Sequence, residues 1–281
     1  MGSRVKAVIS YFDYTGNMVL PWAENGYLCV CVDLKHPCGW SRGPHENIWF
    51  FGGDALRMDP PKRIVTARIT YAPEYHFASF FPPCTDVAVS GARYFKDKGL
   101  GRLIESLKLF KRSVDIAEEL GCPYIIENPV STVSTYWRKP DYMFHPHEYA
   151  GHLDNPKDEA RTKKTCLWVG NGFVMPEHKG VDPEPGSWVL KFSPSDDRAA
   201  LRSVTPLGFA RAVYEANNAV VETRFYRHYV NFFVGLGAWI DGDITEEKLN
   251  AAYLESVAEF AADPGPVPEY AHLETIEVGN D

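Results

Sequence analysis

The first 33 residues carry the pattern that most narrows the choice of fold. Residues 5–12 form an apolar run that predicts a buried strand, and a turn-rich stretch follows it. Residues 18–26 suit a short helix closed by Gly26, and residues 27–32 predict a second strand that ends at Asp33. This unit, with an acid about 20 residues after the loop, is typical of α/β folds that bind a nucleoside, because the acid accepts hydrogen bonds from the ribose hydroxyls.

The loop after the first strand distinguishes two kinds of nucleotide cofactor. Residues 13–17 lack the GxGxxG pattern with which such a loop holds a pyrophosphate. A nucleoside without a pyrophosphate, such as S-adenosylmethionine, therefore suits this unit better than a dinucleotide. A third strand is predicted over residues 48–51, and Asp54 follows it. This acid either accepts a hydrogen bond from an adenine amino group or caps a turn.

Two further apolar runs each lead to a side chain with catalytic potential. Residues 78–81 stop at two prolines, which restrict the backbone just before Cys84. Residues 123–126 predict a strand that ends at Glu127. Because the carboxyl ends of parallel strands meet at one crevice, a nucleophilic cysteine and an acid are expected together there. The alternative for Cys84 is a buried structural cysteine.

The other predicted elements complete an α/β chain with a mostly parallel sheet. Residues 64–72 are predicted to be irregular or a short strand, and residues 130–164 to be loop with little regular structure. The remaining predictions are a helix over 99–120, strands over 165–170 and 188–192, and helices over 207–218, 222–236 and 245–262. We expect a catalytic domain over residues 1–220, loop-rich at 130–205, and a small helical extension over residues 221–281.

Charge and cysteine content bear on partners and location. The net charge of −8 argues mildly against a nucleic-acid partner, but residues 241–281 hold 11 acids and one base, whereas the remainder holds 28 bases and 26 acids. The six cysteines form no CxxC pair, so no zinc site is predicted, and no other metal is expected. The longest apolar run is about half of the roughly 20 residues that span a membrane. With no signal peptide recognised, we expect a cytoplasmic protein without a membrane partner.

Six short motifs occur along the chain. In chain order they are Phe12-Asp13-Tyr14-Thr15-Gly16, Asp33, Gly53-Asp54, Pro82-Pro83-Cys84, Glu127-Asn128 and Arg161-Thr162-Lys163-Lys164. Taken together, these motifs resemble those of the DNA cytosine-5 methyltransferases. The proline–cysteine and Glu-Asn motifs match the family closely, and the resemblance extends over about residues 5–218. The compact chain is similar to phage-type or orphan members.

The resemblance implies a Rossmann-like methyltransferase fold, S-adenosylmethionine as the cofactor, and methyl transfer to carbon 5 of cytosine in DNA. The DNA would be a duplex from which the target base is flipped. The catalytic residues that it implies are Cys84, Glu127, Asn128, Arg161 and Lys163. The cofactor-binding residues that it implies are Phe12, Asp13, Tyr14, Thr15, Gly16, Asp33, Asp54 and Pro82.

Several departures from the family pattern keep alternatives open. The cofactor loop continues as Asn17-Met18-Val19 where the family has further glycines, residue 85 is Thr where Gln is common, and lysines replace arginines in the basic motif. Only about 35 residues, 171–205, lie where DNA-recognising members carry a long recognition region. One alternative is carbon-5 modification of a free cytosine nucleotide or a related alkylation. The other is a non-catalytic protein with the same fold that binds DNA or the cofactor.

Overall fold

The computed structural model describes residues 4–62, 64–65, 70–186 and 203–218. Backbone contacts group the chain into two units, residues 1–65 with 69–219 and residues 66–68 with 220–281, and the described residues belong to the first. The predicted strand at 188–192 and the predicted helices at 222–236 and 245–262 lie outside the described residues, as does the extension over 221–281.

The described chain alternates short strands and helices. The strands are β1 Arg4–Tyr11, β2 Leu28–Val32, β3 Gly39–Arg42, β4 Ile48–Gly52, β5 Ile64–Val65, β6 Thr70–Phe80, β7 Tyr124–Pro129, β8 Tyr142–Phe144 and β9 Thr165–Gly170. The α-helices are α1 Leu20–Glu24, α2 Phe95–Leu120, α3 Val133–Tyr136 and α4 Leu207–Asn217. Four 3₁₀ turns lie at Val89–Tyr94, Pro146–Glu148, Ala150–His152 and Pro156–Glu159.

Eight of these strands form one mixed sheet in the order β3-β4-β2-β1-β6-β7-β9-β8, and β5 pairs with β6 beside it. The five strands from β4 to β7 are mutually parallel. At one edge β3 runs antiparallel to β4, and at the other β9 runs antiparallel to β7 and β8. The chain runs outward from β1 through β2 to β4, and then returns to the other side of β1 as β6. This mostly parallel α/β sheet is compatible with a Rossmann-like fold, and a reversal of strand order is where such sheets bind ligands.

Successive residues of the central strands point to opposite faces of the sheet, and each face has its own core. Val8 packs in one core with Trp22 of α1 and Phe209 of α4. The next residue, Ile9, packs in the other core with Phe110 of α2. Helices therefore cover both faces, as a buried parallel sheet requires. Cys29 and Cys31 lie together in the first core, which agrees with the strand spacing of these two cysteines.

Most strands and helices lie where the sequence places them. The strands over 5–12, 27–32, 48–51, 123–126 and 165–170 and the helices over 18–26, 99–120 and 207–218 are confirmed within a few residues. Two elements differ from the sequence predictions: β6 begins at Thr70 instead of residue 78, and β3 was missed. Residues 130–164 have little regular structure, as predicted, and hold the short elements α3 and β8 and the 3₁₀ turns. Among the described residues, no helix is long and apolar enough to cross a bilayer.

Candidate active site

The sheet gathers the predicted site residues at a single edge. The loops after β1, β2 and β4, which carry Phe12–Gly16, Asp33 and Asp54, leave from the carboxyl ends of parallel strands. Cys84 follows β6, and Glu127 lies near the end of β7, at the same edge. Because β9 is antiparallel and Thr165 pairs with Pro129, the basic segment just before Thr165 also reaches this edge. Taken in the order of the strands from β4 to β9, the edge therefore holds Asp54, Asp33, Asp13, Cys84, Glu127 and the basic segment.

A buried carboxylate organises the loop after β1. Asp13 is 3% exposed, and its Oδ1 accepts hydrogen bonds from the backbone N–H groups of Thr15, at 3.1 Å, and Gly16, at 2.8 Å. Its Oδ2 accepts a hydrogen bond from the hydroxyl of Ser10 at 2.9 Å. Burial raises the pKa of Asp13, against the lowering effect of these hydrogen bonds. Phe12, just before it, has a left-handed φ of 59°, a backbone strain of the kind that gathers at functional sites.

In each of the next two loops, a carboxylate accepts a backbone hydrogen bond and is also partly exposed to solvent. Asp33 Oδ1 accepts from the backbone N–H of Lys35 at 2.8 Å, and Asp54 Oδ1 accepts from that of Leu56 at 3.0 Å. Both acids are partly exposed and follow neighbouring strands. Such carboxylates suit a ligand that brings hydroxyl and amino donors, as adenosine does. Asp54 also caps its turn, so the two roles considered for this acid are compatible.

The Cys84 loop is anchored at its start to the central strand. The backbone N–H of Phe81 donates to the carbonyl oxygen of Tyr11 at 3.0 Å. Pro82 is buried, whereas Cys84 is partly exposed. The carbonyl oxygen of Cys84 accepts from the backbone N–H groups of Val87, at 3.1 Å, and Ala88, at 2.9 Å, so the cysteine begins a tight turn. Cys84 is therefore not the buried structural cysteine of the alternative interpretation.

Strand β7 and its continuation hold the Cys84 loop at both ends. The side-chain amide of Asn128 donates to the carbonyl oxygen of Pro82 at 3.0 Å, within the buried interior. Beyond the loop, the backbone N–H of Val89 donates to Val130 and that of Thr132 donates to Val87, both at 2.9 Å. These bonds run directly from the chain on either side of Cys84 to residues 128, 130 and 132, which follow Glu127. The predicted nucleophile and the predicted acid are thus on adjoining, tied segments.

One oxygen of Glu127 is buried without a hydrogen-bond partner. Within the described structure, Glu127 Oε1 is inaccessible to solvent and unpaired, as is Asn128 Oδ1. Buried polar atoms in proteins are nearly always paired, and an orphan at a candidate site is well explained by a ligand group that completes the pair. The carboxyl group of Glu127 is therefore suited to a donor or a shared proton on a bound ring.

Glu159, an acid that the sequence does not single out, joins the chain just before the basic segment to α4. The Arg161 guanidinium donates to the carbonyl oxygen of Asp158 at 2.9 Å, and burial lowers its pKa. Glu159, two residues earlier, is buried and accepts from the backbone N–H groups of Leu207, at 2.5 Å, and Gly208, at 2.9 Å. Burial raises the pKa of Glu159. Glu159 thus caps α4 from 48 residues away, and no local pattern in the sequence indicates this.

Lys98 is the second residue that sequence reasoning missed. Its ammonium group donates to the carbonyl oxygen of Thr85 at 2.6 Å and pairs with Asp86 at 2.9 Å. It therefore fixes the two residues that follow Cys84 against the start of α2. Lysine 14 residues beyond a cysteine is too common an occurrence to be a sequence signal.

Among the described residues, no group of three or more His, Cys, Asp or Glu side chains is placed to hold a metal ion. No model of a known protein family matches the chain, and no curated protein is significantly similar to it.

Proposed function

We propose that the protein transfers a methyl group from S-adenosylmethionine to carbon 5 of cytosine in DNA, through a covalent adduct on Cys84. The observation that carries the proposal is the hydrogen bond from Asn128 to the carbonyl oxygen of Pro82, which ties the cysteine loop to the strand of Glu127. The unpaired, buried Oε1 of Glu127 supports it, because the proposed chemistry needs a carboxyl group at the target ring.

The chemistry requires a nucleophile because carbon 5 of cytosine does not by itself attack a methyl group. The Cys84 thiolate adds to carbon 6, and a bond forms between sulfur and carbon while the electron pair moves into the ring. Glu127 shares a proton with ring nitrogen 3 and so neutralises the charge that develops there. Asn128 keeps the two segments in register, and on this proposal Arg161 and Lys163 orient the base or its phosphate.

S-adenosylmethionine supplies the methyl group as an electrophile. On this proposal carbon 5 gains the methyl group as the sulfur–methyl bond of the cofactor breaks, which would leave a neutral thioether. A base then takes the hydrogen on carbon 5 as a proton, and the electron pair left on carbon 5 re-forms the ring double bond as the carbon–sulfur bond breaks and restores the Cys84 thiolate. On this proposal the loop Phe12–Gly16 and Pro82 border the cofactor. Asp33 accepts from its ribose hydroxyls and Asp54 from its adenine amino group, because both carboxylates lie at the ends of neighbouring strands.

The same chemistry on a free cytosine nucleotide is the second candidate. Glu159, just before the basic segment, accepts hydrogen bonds from the first backbone N–H groups of α4, so the basic segment and α4 lie close together. This closeness favours the second candidate. The intervening chain is too short for a large DNA-recognition region. Cytosine in an oligonucleotide and free dCMP are therefore compared in the same assay.

The decisive experiment is covalent trapping. Cytosine with fluorine at carbon 5 cannot lose a proton there, so the adduct should accumulate when cofactor is present, and mass spectrometry should place it on Cys84. Cys84→Ser should reduce turnover by about a thousandfold, since a hydroxyl is a much weaker nucleophile at neutral pH. Glu127→Gln should reduce it about a hundredfold.

Cys38→Ser is the matched control, because Cys38 is the other cysteine that solvent reaches. The Cys38→Ser variant should form the covalent adduct at the wild-type rate. An adduct on a different cysteine, or normal turnover by Cys84→Ser, would contradict the mechanism.

A further inference from the structure

Two segments leave the candidate active site side by side. Residues 87–96 follow Cys84, and residues 130–140 follow Glu127. They begin at a short antiparallel bridge, in which Ala88 pairs with Ser131 and Val89 bonds to Val130 at 2.9 Å. Each then turns into a short helical element, Val89–Tyr94 or α3. We call the exposed side chains of these two segments the flanking surface.

The flanking surface displays aromatic rings to solvent. Tyr94 is 47% exposed, Tyr136 is 63% exposed and Trp137 is 42% exposed. Arginines lie against two of them: the guanidinium of Arg93 is 4.6 Å from the ring centre of Tyr94, and that of Arg138 is 4.6 Å from the ring centre of Trp137. These rings lie on two adjoining segments beside a candidate active site, and apolar side chains that are grouped on a surface, unlike ones scattered singly, mark binding sites.

The charge of the same surface is one-sided. Residues 87–96 and 130–140 contain four basic side chains and no acid, although the chain has 37 acids and a net charge of −8. Asp141, just beyond, pairs with Arg138. Within the described part of the chain, Arg93, Lys96 and Lys139 have no ion-pair partner. Three of the four bases can therefore bind an anionic partner without breaking an ion pair, and the surface is complementary to such a partner.

We propose that the flanking surface binds single-stranded DNA on either side of the target cytosine. This inference rests on the proposed function and specifies its substrate. Exposed aromatic rings with basic neighbours bind unstacked bases through their faces and the backbone through charge. A duplex hides the base faces within its own stack, so these rings would have nothing to contact. A single strand also delivers the cytosine without the unpairing that extrusion from a duplex requires.

The first measurement compares affinities. A fluorescent 20-nucleotide strand that contains cytosine should bind more tightly than the duplex of the same sequence, by about tenfold or more at moderate salt. Tyr136→Ala and Tyr94→Ala should each weaken binding of the single strand by about fivefold or more, the lower end of base–aromatic stacking. Arg93→Gln should reduce the slope of log affinity against log salt by about 0.7, the value for one phosphate contact on a single strand.

Trp40→Ala provides the matched control. Trp40 is a similarly exposed aromatic, at 47%, but it lies on β3, and the strands β4, β2 and β1 separate β3 from β6 and the Cys84 loop. The Trp40→Ala variant should bind the single strand with the affinity of the wild-type protein. Equal or tighter binding of the duplex, equal effects of Tyr136→Ala and Trp40→Ala, or tighter binding of an RNA strand of the same sequence would each overturn the proposal.

Trapping on the fluorinated strand separates this inference from the proposed function. If Cys84 forms the adduct as fast on the duplex as on the single strand, and Tyr136→Ala does not change the rate, the proposed binding role of the flanking surface is refuted. The proposed methyl-transfer chemistry would still be supported. If binding of the single strand depends on Tyr136 but no adduct forms on the single strand or the duplex, the binding role of the flanking surface is supported and the methyl-transfer chemistry is refuted.

Discussion

Asn128 offers the sharpest test of how the site is assembled. Its side chain is buried, and its amide donates to the carbonyl oxygen of Pro82 at 3.0 Å. Asn128→Ala leaves that carbonyl oxygen buried without a partner, which costs about 1–3 kcal/mol of unfolding free energy. A typical domain is stable by about 5–15 kcal/mol, so the variant should still fold. The start of the Cys84 loop, however, loses its tie to the strand of Glu127.

The functional loss should exceed what destabilisation explains. A displacement of about 1 Å between reacting groups can reduce rate by about a hundredfold, and we expect a loss of that order in the rate of trapping by Asn128→Ala. Urea unfolding measures the stability, and single-turnover trapping on the fluorinated strand measures the rate.

Asn47 gives a control of the same residue type and environment. It is buried, its amide donates to the carbonyl oxygen of Ala23 at 2.8 Å, and its Oδ1 is unpaired among the described residues, as is that of Asn128. It precedes β4, at the opposite edge of the sheet from the site. Asn47→Ala should lose similar stability and keep its trapping rate. Equal trapping rates for the two variants would refute the positioning role of Asn128.

Two further predictions concern the cofactor side of the sheet. Asp33→Ala should weaken binding of S-adenosylmethionine by about tenfold or more in calorimetry, the value of hydrogen bonds to a charged group. Asp115→Ala, which removes an exposed acid of α2, should not. Burial raises the pKa of Asp13 above its ordinary value of 3.8, so the stabilising proton is bound at low pH and lost as pH rises through the raised pKa. The stability of the wild-type protein relative to Asp13→Asn should therefore fall in urea unfolding as the pH rises above about 4, and a constant difference would contradict this.

Local patterns sufficed for the parts of the site that lie at strand ends. Cys84 and Glu127 each follow an apolar run, and parallel strands bring such ends together whatever the connections between them. The hairpin strand β3 escaped prediction because Gly39–Arg42 is a half-exposed edge without apolar alternation. The early part of β6 escaped because Pro73, Glu74 and His76 interrupt its pattern.

Bonds between distant residues account for what the sequence could not indicate. The amide of Asn128 reaches a carbonyl 46 residues away, and Glu159 reaches backbone N–H groups 48 and 49 residues away. Neither of these sequence separations matches the period of a helix or strand, and neither belongs to a recognisable motif. Each depends on which strands adjoin in the finished sheet, so the positioning of the candidate site follows from topology, whereas the groups proposed to react follow from local sequence.

The loop after β1 shows how a departure from a glycine-rich pattern changes the ligand that the site can take. Successive backbone N–H groups in such a loop form a concave site for an anion. Here the N–H groups of Thr15 and Gly16 already bind the carboxylate of Asp13, so the protein supplies its own anion. A phosphate would meet a buried negative charge in place of free donors, which is why a pyrophosphate cofactor does not suit this loop. A cofactor that enters as a cation, with hydroxyl and amino donors for Asp33 and Asp54, meets no such conflict, and the proposed S-adenosylmethionine has that chemistry.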